Sequence, residues 1–181
     1  DYNITAELTA TKRVGFHRYT FPKSANSHII LDIGNKQGES GEVTDAGIRM
    51  IDDTHFEGFV VTYPQYLRLY DPEGKVVMYF YGEISKKPKN VGAFTENNIQ
   101  ENTSSAKGKG AGLFLNYQTA ENEKVEIKVG LSYTSTANAK ENLKEEAGFL
   151  SFDGAKVKAR EIWQQELSKI VIDDLNEQNK I

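Results

Sequence analysis

Cysteine is absent from the 181 residues. That excludes disulfides, thiolate nucleophiles and cysteine-based metal sites, and it leaves the redox compartment open. No apolar run reaches the roughly 18 residues that a membrane-spanning helix needs, so no membrane span is expected. The N-terminus carries no signal-peptide pattern and begins at Asp1 rather than Met, which points to a processed or excised segment. Basic residues are in deficit, with 22 Lys and Arg against 26 Asp and Glu, a net charge of -4 and a pI near 5.5. Phosphate backbones select a concentrated excess of cations, so no nucleic-acid partner is expected. The one basic cluster, KKPKN at residues 86–90, reads as a solvated turn.

Catalytic signatures are equally scarce. The three histidines, His17, His28 and His55, form no HExxH, HxH or other ligand spacing. No metal site follows from them, although a site assembled by the fold stays open. His17 reads as a hydrogen-bonded structural histidine. Neither GxSxG, a P-loop nor GxGxxG occurs. GKGAG, residues 108–112, lacks the Lys-Ser/Thr pair of a phosphate cradle and precedes a strand, so it reads as a flexible loop. The carboxylates are numerous enough to supply an acid and a base, but spacing singles out no pair. No catalytic residue is therefore assigned, and the substrate-binding residues are unknown at this level.

What the chain does have is alternation. Tyr2, Ile4, Ala6 and Leu8 alternate with polar residues, and Val125, Ile127, Val129 and Leu131 line one face of a strand. RYTFP ends an extended run at Pro22, SHIILDI forms a β-branched run stopped by GNKQGESG, and HFEGFVVTYP and AGLFLNYQT read as further strands. QYLRLYD alternates up to DPEG, a type I turn signal, and KVVMYFYGEI runs back, which predicts a hairpin. Residues 85–112 are rich in turn formers and read as a long exposed loop with one weak strand near Phe94. A strand tyrosine can stack on a sugar ring, but Tyr66, Tyr70, Tyr79 and Tyr81 read as core or interface residues.

From Ser135 the period changes to that of a helix. Ala139, Leu143 and Ala147 recur every four residues, with Ser135 as N-cap and Gly148 as the stop. Ala155, Ala159, Ile162, Trp163, Leu167 and Ile170 continue as an apolar stripe that must be buried against something. Helices that trail strands, rather than alternate with them, indicate a mainly β fold. The expected architecture is an antiparallel β-sandwich over residues 1–134, truncated at its start, then a helical linker over residues 135–181.

The stretch GFHRYTFP, residues 15–22, packs His, Arg and three aromatic rings into one strand. Phe16, Arg18 and Thr20 face one way, while His17, Tyr19 and Phe21 face the other. Both faces carry an aromatic, so both should be covered. Arg18, with its planar fork of donors, is expected to tie neighbouring carbonyls or a carboxylate. Arg18 and Tyr19 would then fasten the strand to a loop or adjoining domain, an architectural role.

Three stretches together resemble one family. AELTATKRVGFHRYTFPKSANSHIILDI (residues 6–33), VGLSYTSTANAKENLKEEAG (129–148) and FDGAKVKAREIWQQELSKIVI (152–172) are similar, in order and spacing, to the N-terminal domain of glycoside hydrolase family 92. Members are mainly exo-acting α-mannosidases, α-1,2-mannosidases among them. The resemblance is weakest between residues 34 and 112. It implies a β-sandwich, a helical linker and then an (α/α)6 catalytic barrel as partner in the same polypeptide. It also implies an inverting, calcium-dependent removal of terminal mannose from glycans, with export to the periplasm or cell surface of a bacterium. The acid, the base and the calcium ligands would lie mostly in the barrel, so none is carried onto this chain. Only five residues precede Ala6, so strands at the start of the sandwich and a sugar-contacting loop of the family are expected to be missing. Two other roles stay open: a carbohydrate-binding module with its own mannose affinity, and a purely structural interdomain scaffold.

Overall fold

In the computed structural model, residues 2–36, 41–170 and 176 are described. The strict alternation around Val125 forms a ten-residue strand, β11 (Glu123–Ser132), at the heart of the larger of two sheets. Its neighbours are β1 (Thr5–Ala10), β2 (Val14–Phe21), β4 (Glu42–Met50), β5 (His55–Tyr63), β6 (Val76–Ile84) and β9 (Ser105–Lys107), in the order β1-β2-β11-β6-β5-β4-β9. A four-stranded sheet, β3-β10-β7-β8, is built from β3 (Ser24–Asp32), β7 (Asn90–Thr95), β8 (Asn98–Glu101) and β10 (Gly112–Thr119). All pairings are antiparallel. The sandwich expected from the sequence is thus observed.

Between the sheets lies the main core, with Phe21, Phe56, Phe80, Ile84, Leu113, Leu115, Tyr117, Val125 and Ile127 buried. Each such side chain removed from water contributes about 1.5–3 kcal/mol. Glycine and phenylalanine meet across the strands in a recurring way. Gly58 faces Phe80 and Gly82 faces Phe56 in the large sheet, while Gly92 faces Phe114 and Gly112 faces Phe94 in the small one. In each case a Cβ on the glycine would overlap the partner's ring. Each ring occupies the space beside the bare backbone opposite it and covers surface the glycine leaves open.

Helices follow the strands. α1 (Thr136–Ala147) starts where Ser135 Oγ accepts the Asn138 N–H at 3.0 Å, and α2 (Phe152–Leu167) starts where Ser151 Oγ accepts the Gly154 N–H at 3.1 Å. The first helix ends at the Gly148 stop read from the sequence, and the Ser151 cap begins the second. α1 lies on the outer face of the large sheet. Ala139, Leu143 and Ala147 pack there with Val14, Phe16 and Tyr81, and Phe152 and Ala155 of α2 join them in a second core. Gly130 on β11 allows this approach, because a Cβ there would overlap the Ala139 carbonyl oxygen and press on Leu143.

Several sequence readings are corrected. Residues 66–70 are no strand: a single 3-10 turn, Leu67–Leu69, occupies them, and Tyr66, Leu69 and Tyr70 are exposed. Alternation alone produced the error, since only Leu67 of that segment is half-buried and its other residues are exposed. The turn at DPEG stands, with the Gly74 N–H on the Asp71 carbonyl at 3.0 Å, but the strand paired with β6 is β5. Of the four tyrosines read as core or interface residues, Tyr81 is buried and Tyr79 half-buried, whereas Tyr66 and Tyr70 are exposed and not part of the core. Residues 85–112 are not a long loop, because β7, β8 and β9 occupy much of them. GKGAG is an ordered tie rather than a flexible loop. The Gly110 N–H bonds the Gly34 carbonyl at 2.9 Å, and the buried Ala111 carbonyl accepts from Ile33 and Gly34. Gly108 and Gly110 adopt φ values of 103° and 70°, which suit glycine. The loop GNKQGESG lies partly, and the linker past Ile170 almost wholly, outside the described residues.

Candidate functional site

Strand register places Arg18 of β2 directly opposite Glu7 of β1 and Glu126 of β11, all on the outer face. The guanidinium is therefore flanked by two carboxylates before any helix arrives. Its Nε donates to Glu126 Oε1 at 2.7 Å, and Glu7 Oε2 lies 3.6 Å from Nη1. From above, the first turn of α2 supplies Asp153, whose two oxygens accept from Nη1 and Nη2, each at 2.9 Å. The adjacent Phe152 ring lies 4.1 Å beneath the guanidinium carbon. Arg18 is only 7% exposed, so its charge is compensated by bidentate, charge-assisted bonds and ring contact. The Asp153 carboxylate beside it holds the Arg18 guanidinium above its ordinary value, and Arg18 in turn holds Asp153 below the usual carboxylate range. Asp153 also sits in the first turn of α2, where a negative charge opposes the helix dipole.

A second ionic knot joins the β1–β2 turn to the end of α1. Glu146 accepts from the Thr11 hydroxyl at 2.5 Å, from the Arg13 backbone N–H at 3.0 Å and from Arg13 Nε at 2.6 Å. Burial pushes the Glu146 carboxyl up, but the bonds from Thr11 and Arg13 outweigh it and hold the group below its ordinary value. Beside this knot lies a groove of about 610 Å³, lined by Ala10, Thr11, Glu146, Ala155, Ile162 and Trp163 among others. The far part of α2 is less covered. Ile162, Trp163, Leu167 and Ile170 are exposed, Trp163 at 67%.

The opposite face of β2 is different. His17 and Tyr19 point between the sheets, where His17 Nδ1 lies 3.1 Å from the Tyr19 hydroxyl. Burial lowers the pKa of His17 and raises that of Tyr19. Both line a mostly apolar trough of about 370 Å³ that opens beside β3. Arg18 ties carboxylates as anticipated, but what it fastens is α2 rather than a loop or an adjoining domain. Tyr19 does not share this role, because its side chain lies on the other face.

The remaining histidines lie on other strands. His28 is exposed on β3, and His55 Nδ1 lies 2.9 Å from Asp52, whose carboxyl is pushed down to about 2, chiefly by the Thr54 N–H and then by His55. Among the described residues, no three His, Asp or Glu side chains converge on a point that could hold a metal ion. The carboxylates held below their ordinary values, Asp52, Glu123, Glu146 and Asp153, are bonded to donors and ionised at neutral pH. A general acid needs the opposite shift. What this arrangement does is hold a helix at one end and present the rest of it. Glu7, Glu126 and Asp153 were not singled out from sequence. The first two follow once strand register is known, while Asp153 is 135 residues from Arg18 and carries no local signal.

The family model of the glycosyl hydrolase family 92 N-terminal domain matches residues 1–132. Among solved structures, the fold is similar to the family GH92 alpha-mannosidase BT3965 from Bacteroides thetaiotaomicron, with a TM-score of 0.83 and 25% identity, over 96% of this chain and 23% of that one. The gh92 family glycosyl hydrolase ccman5 shares the fold with a TM-score of 0.77 and 23% identity, over 94% of this chain and 21% of that one. The family GH92 inverting mannosidase BT2199 from Bacteroides thetaiotaomicron shares it with a TM-score of 0.79 and 18% identity, over 94% and 21%. The chain therefore spans less than a quarter of the length of these proteins. No curated protein sequence matches it.

Proposed function

This chain belongs to the glycosyl hydrolase family 92 N-terminal domain family, and we propose that it is the accessory domain of an inverting, calcium-dependent exo-α-mannosidase. In this reading residues 1–134 are the supporting sandwich and residues 135–181 the linker toward a catalytic (α/α)6 barrel in the same polypeptide. The barrel supplies the acid, the base and the metal, and removes terminal α-linked mannose from glycans outside the bacterial cytoplasm. The observation that carries the proposal is α2. Its first turn is clamped by Arg18, and its Ile162–Trp163–Leu167 stripe is left for another body to cover.

Calcium finds no fit among the described residues. The ion takes six to eight oxygen ligands, and no three acidic or histidine side chains gather here. No step is therefore assigned to it within this chain. What the chain's own residues do is mechanical: Arg18, Glu126 and Asp153 set the angle at which α2 leaves the sheet.

The test compares the purified 181-residue chain with its full-length parent on α-mannobiose. The parent should release mannose as the β-anomer, lose activity to a chelator and regain it with calcium. The 181-residue chain should release none, and calorimetry should detect no millimolar binding. Hydrolysis by the short chain would overturn the proposal. Binding without hydrolysis would make it a sugar-binding module instead.

A further inference from the structure

The carboxylate that clamps α2 is followed by the residue that most endangers it. Asp153 precedes Gly154, and this is the only Asp-Gly step in the 181 residues, while Asn-Gly does not occur. At such a step the glycine nitrogen can attack the aspartyl side chain, because a residue without Cβ leaves that approach unhindered. The lone pair of the Gly154 nitrogen bonds to Cγ of the protonated Asp153 carboxyl. The amide proton and the carboxyl OH depart together as water, and a succinimide ring closes. Water then adds back to the ring. Addition at Cγ restores aspartate, whereas addition at the main-chain carbonyl carbon of Asp153 leaves the chain running through the β-carboxyl, as isoaspartate. The sum is an isomerisation, with one water released and one taken up.

Three features oppose this step in the folded chain. Both Asp153 oxygens accept from Arg18, at 2.9 Å each, which fixes the carboxylate in one orientation and keeps it ionised, the unreactive form. The Gly154 N–H is donated to Ser151 Oγ at 3.1 Å, so the attacking nitrogen is itself engaged. Asp153 lies in the first turn of α2, and ring closure requires its backbone to leave helical geometry. Access is no barrier, since the Asp153 side chain is 73% exposed and water reaches it. The reaction therefore proceeds from molecules in which the start of α2 has opened, and its rate follows that opening equilibrium. We propose that Asp153–Gly154 is a spontaneous modification site, an aspartyl isomerisation switch that the Arg18 fork and the Ser151 cap keep shut. Its product carries an extra methylene in the main chain and no longer sets both carboxylate oxygens on Arg18 from the first turn, so isomerisation lets α2 go. The inference stands apart from the proposed activity, because it needs only these three side chains and the glycine.

The experiment follows isoaspartate at residue 153 by peptide mapping of the full-length parent, held at neutral pH and physiological temperature. The isomer keeps its mass but elutes separately, resists an aspartate-specific protease and accepts a methyl group from an isoaspartyl methyltransferase. A synthetic peptide of residues 148–160 supplies the unclamped rate. The parent should isomerise at least tenfold more slowly than the peptide. Arg18→Ala should speed the parent at least tenfold, which is about 1.4 kcal/mol in the opening equilibrium. Ser151→Ala should speed it about fivefold, as the loss of one cap implies. Gly154→Ala should suppress the isomer in every background, and amide exchange in α2 should be faster in the isomerised fraction than in the intact one. Equal rates in peptide and parent overturn the proposal. A rate that either Arg18→Ala or Ser151→Ala leaves unmoved overturns it too, and so does an isomerised fraction whose α2 exchanges at the intact rate. If Arg18→Ala does not fold, the parent, the peptide and Ser151→Ala decide the question, because losing one cap leaves the sandwich core untouched.

Discussion

α1 and α2 are helices of similar amphipathic build, each capped by a serine, yet they relate to the sheet in opposite ways. α1 commits its whole stripe, Ala139, Leu143 and Ala147, to the face made by Val14, Phe16 and Tyr81. α2 commits only Phe152 and Ala155, is clamped by Arg18 through Asp153, and then leaves Ile162, Trp163 and Leu167 exposed. The difference shows that an apolar stripe marks a surface to be buried without saying by what. α1 is held by area, whereas α2 is held by a short-range electrostatic clamp whose direction is specific. The first gives stability and the second gives orientation.

Each of the following results would break or sharpen that contrast. Leu143→Ala should cost about 2–5 kcal/mol of global stability in urea unfolding, as expected for a buried truncation, while Ile162→Ala should stay within about 0.5 kcal/mol. Equal losses would dissolve the distinction between the helices. Arg18→Ala should cost about 1.5–3 kcal/mol, the range for bonds to charged groups, and should speed amide exchange in α2 more than in α1. Unchanged exchange in α2 would show that Phe152 alone holds it. Gly130→Ala should cost about 1–3 kcal/mol through overpacking beneath α1, seen as a lower melting temperature with α2 exchange unaltered.

Acid offers a gentler separation. Asp153 is held below its ordinary value of 3.8 and Glu146 below 4.5. Carboxylates depressed in the folded state contribute stability that is complete above those ordinary values and disappears as pH falls through the folded ones. Tryptophan fluorescence of Trp163 should therefore stay constant between pH 7 and 5 and change below about 4. Asp153→Asn should flatten the part due to Arg18. A transition near pH 6 would point to a different group.

Legibility from sequence tracked how far each signal depends on its neighbours. β11 was readable because Val125 and Ile127 are buried on one face and the strand is long. α1 was readable from Ser135, its four-residue spacing and Gly148. β8, with all four residues exposed, and β9, with three residues, carry no hydrophobic period because they exist only through pairing with β7 and β4. Residues 66–70 failed in the reverse sense, with the period present and only Leu67 half-buried. At the clamp, Arg18 could be marked as an ion-pair centre from its strand alone. Its partners at positions 7, 126 and 153 come from three other elements and become visible only when the sheet closes.

The glycine–phenylalanine couples across the strands have a consequence for how this domain can change over time. Replacing one glycine by alanine strikes a ring, and shrinking that ring alone exposes bare main chain, so either step by itself is a loss. Taken together, the two changes relieve each other, and the deficit of the double substitution should be smaller than the sum of its parts. Each couple therefore behaves as one heritable unit, and drift at these positions must proceed by paired exchange.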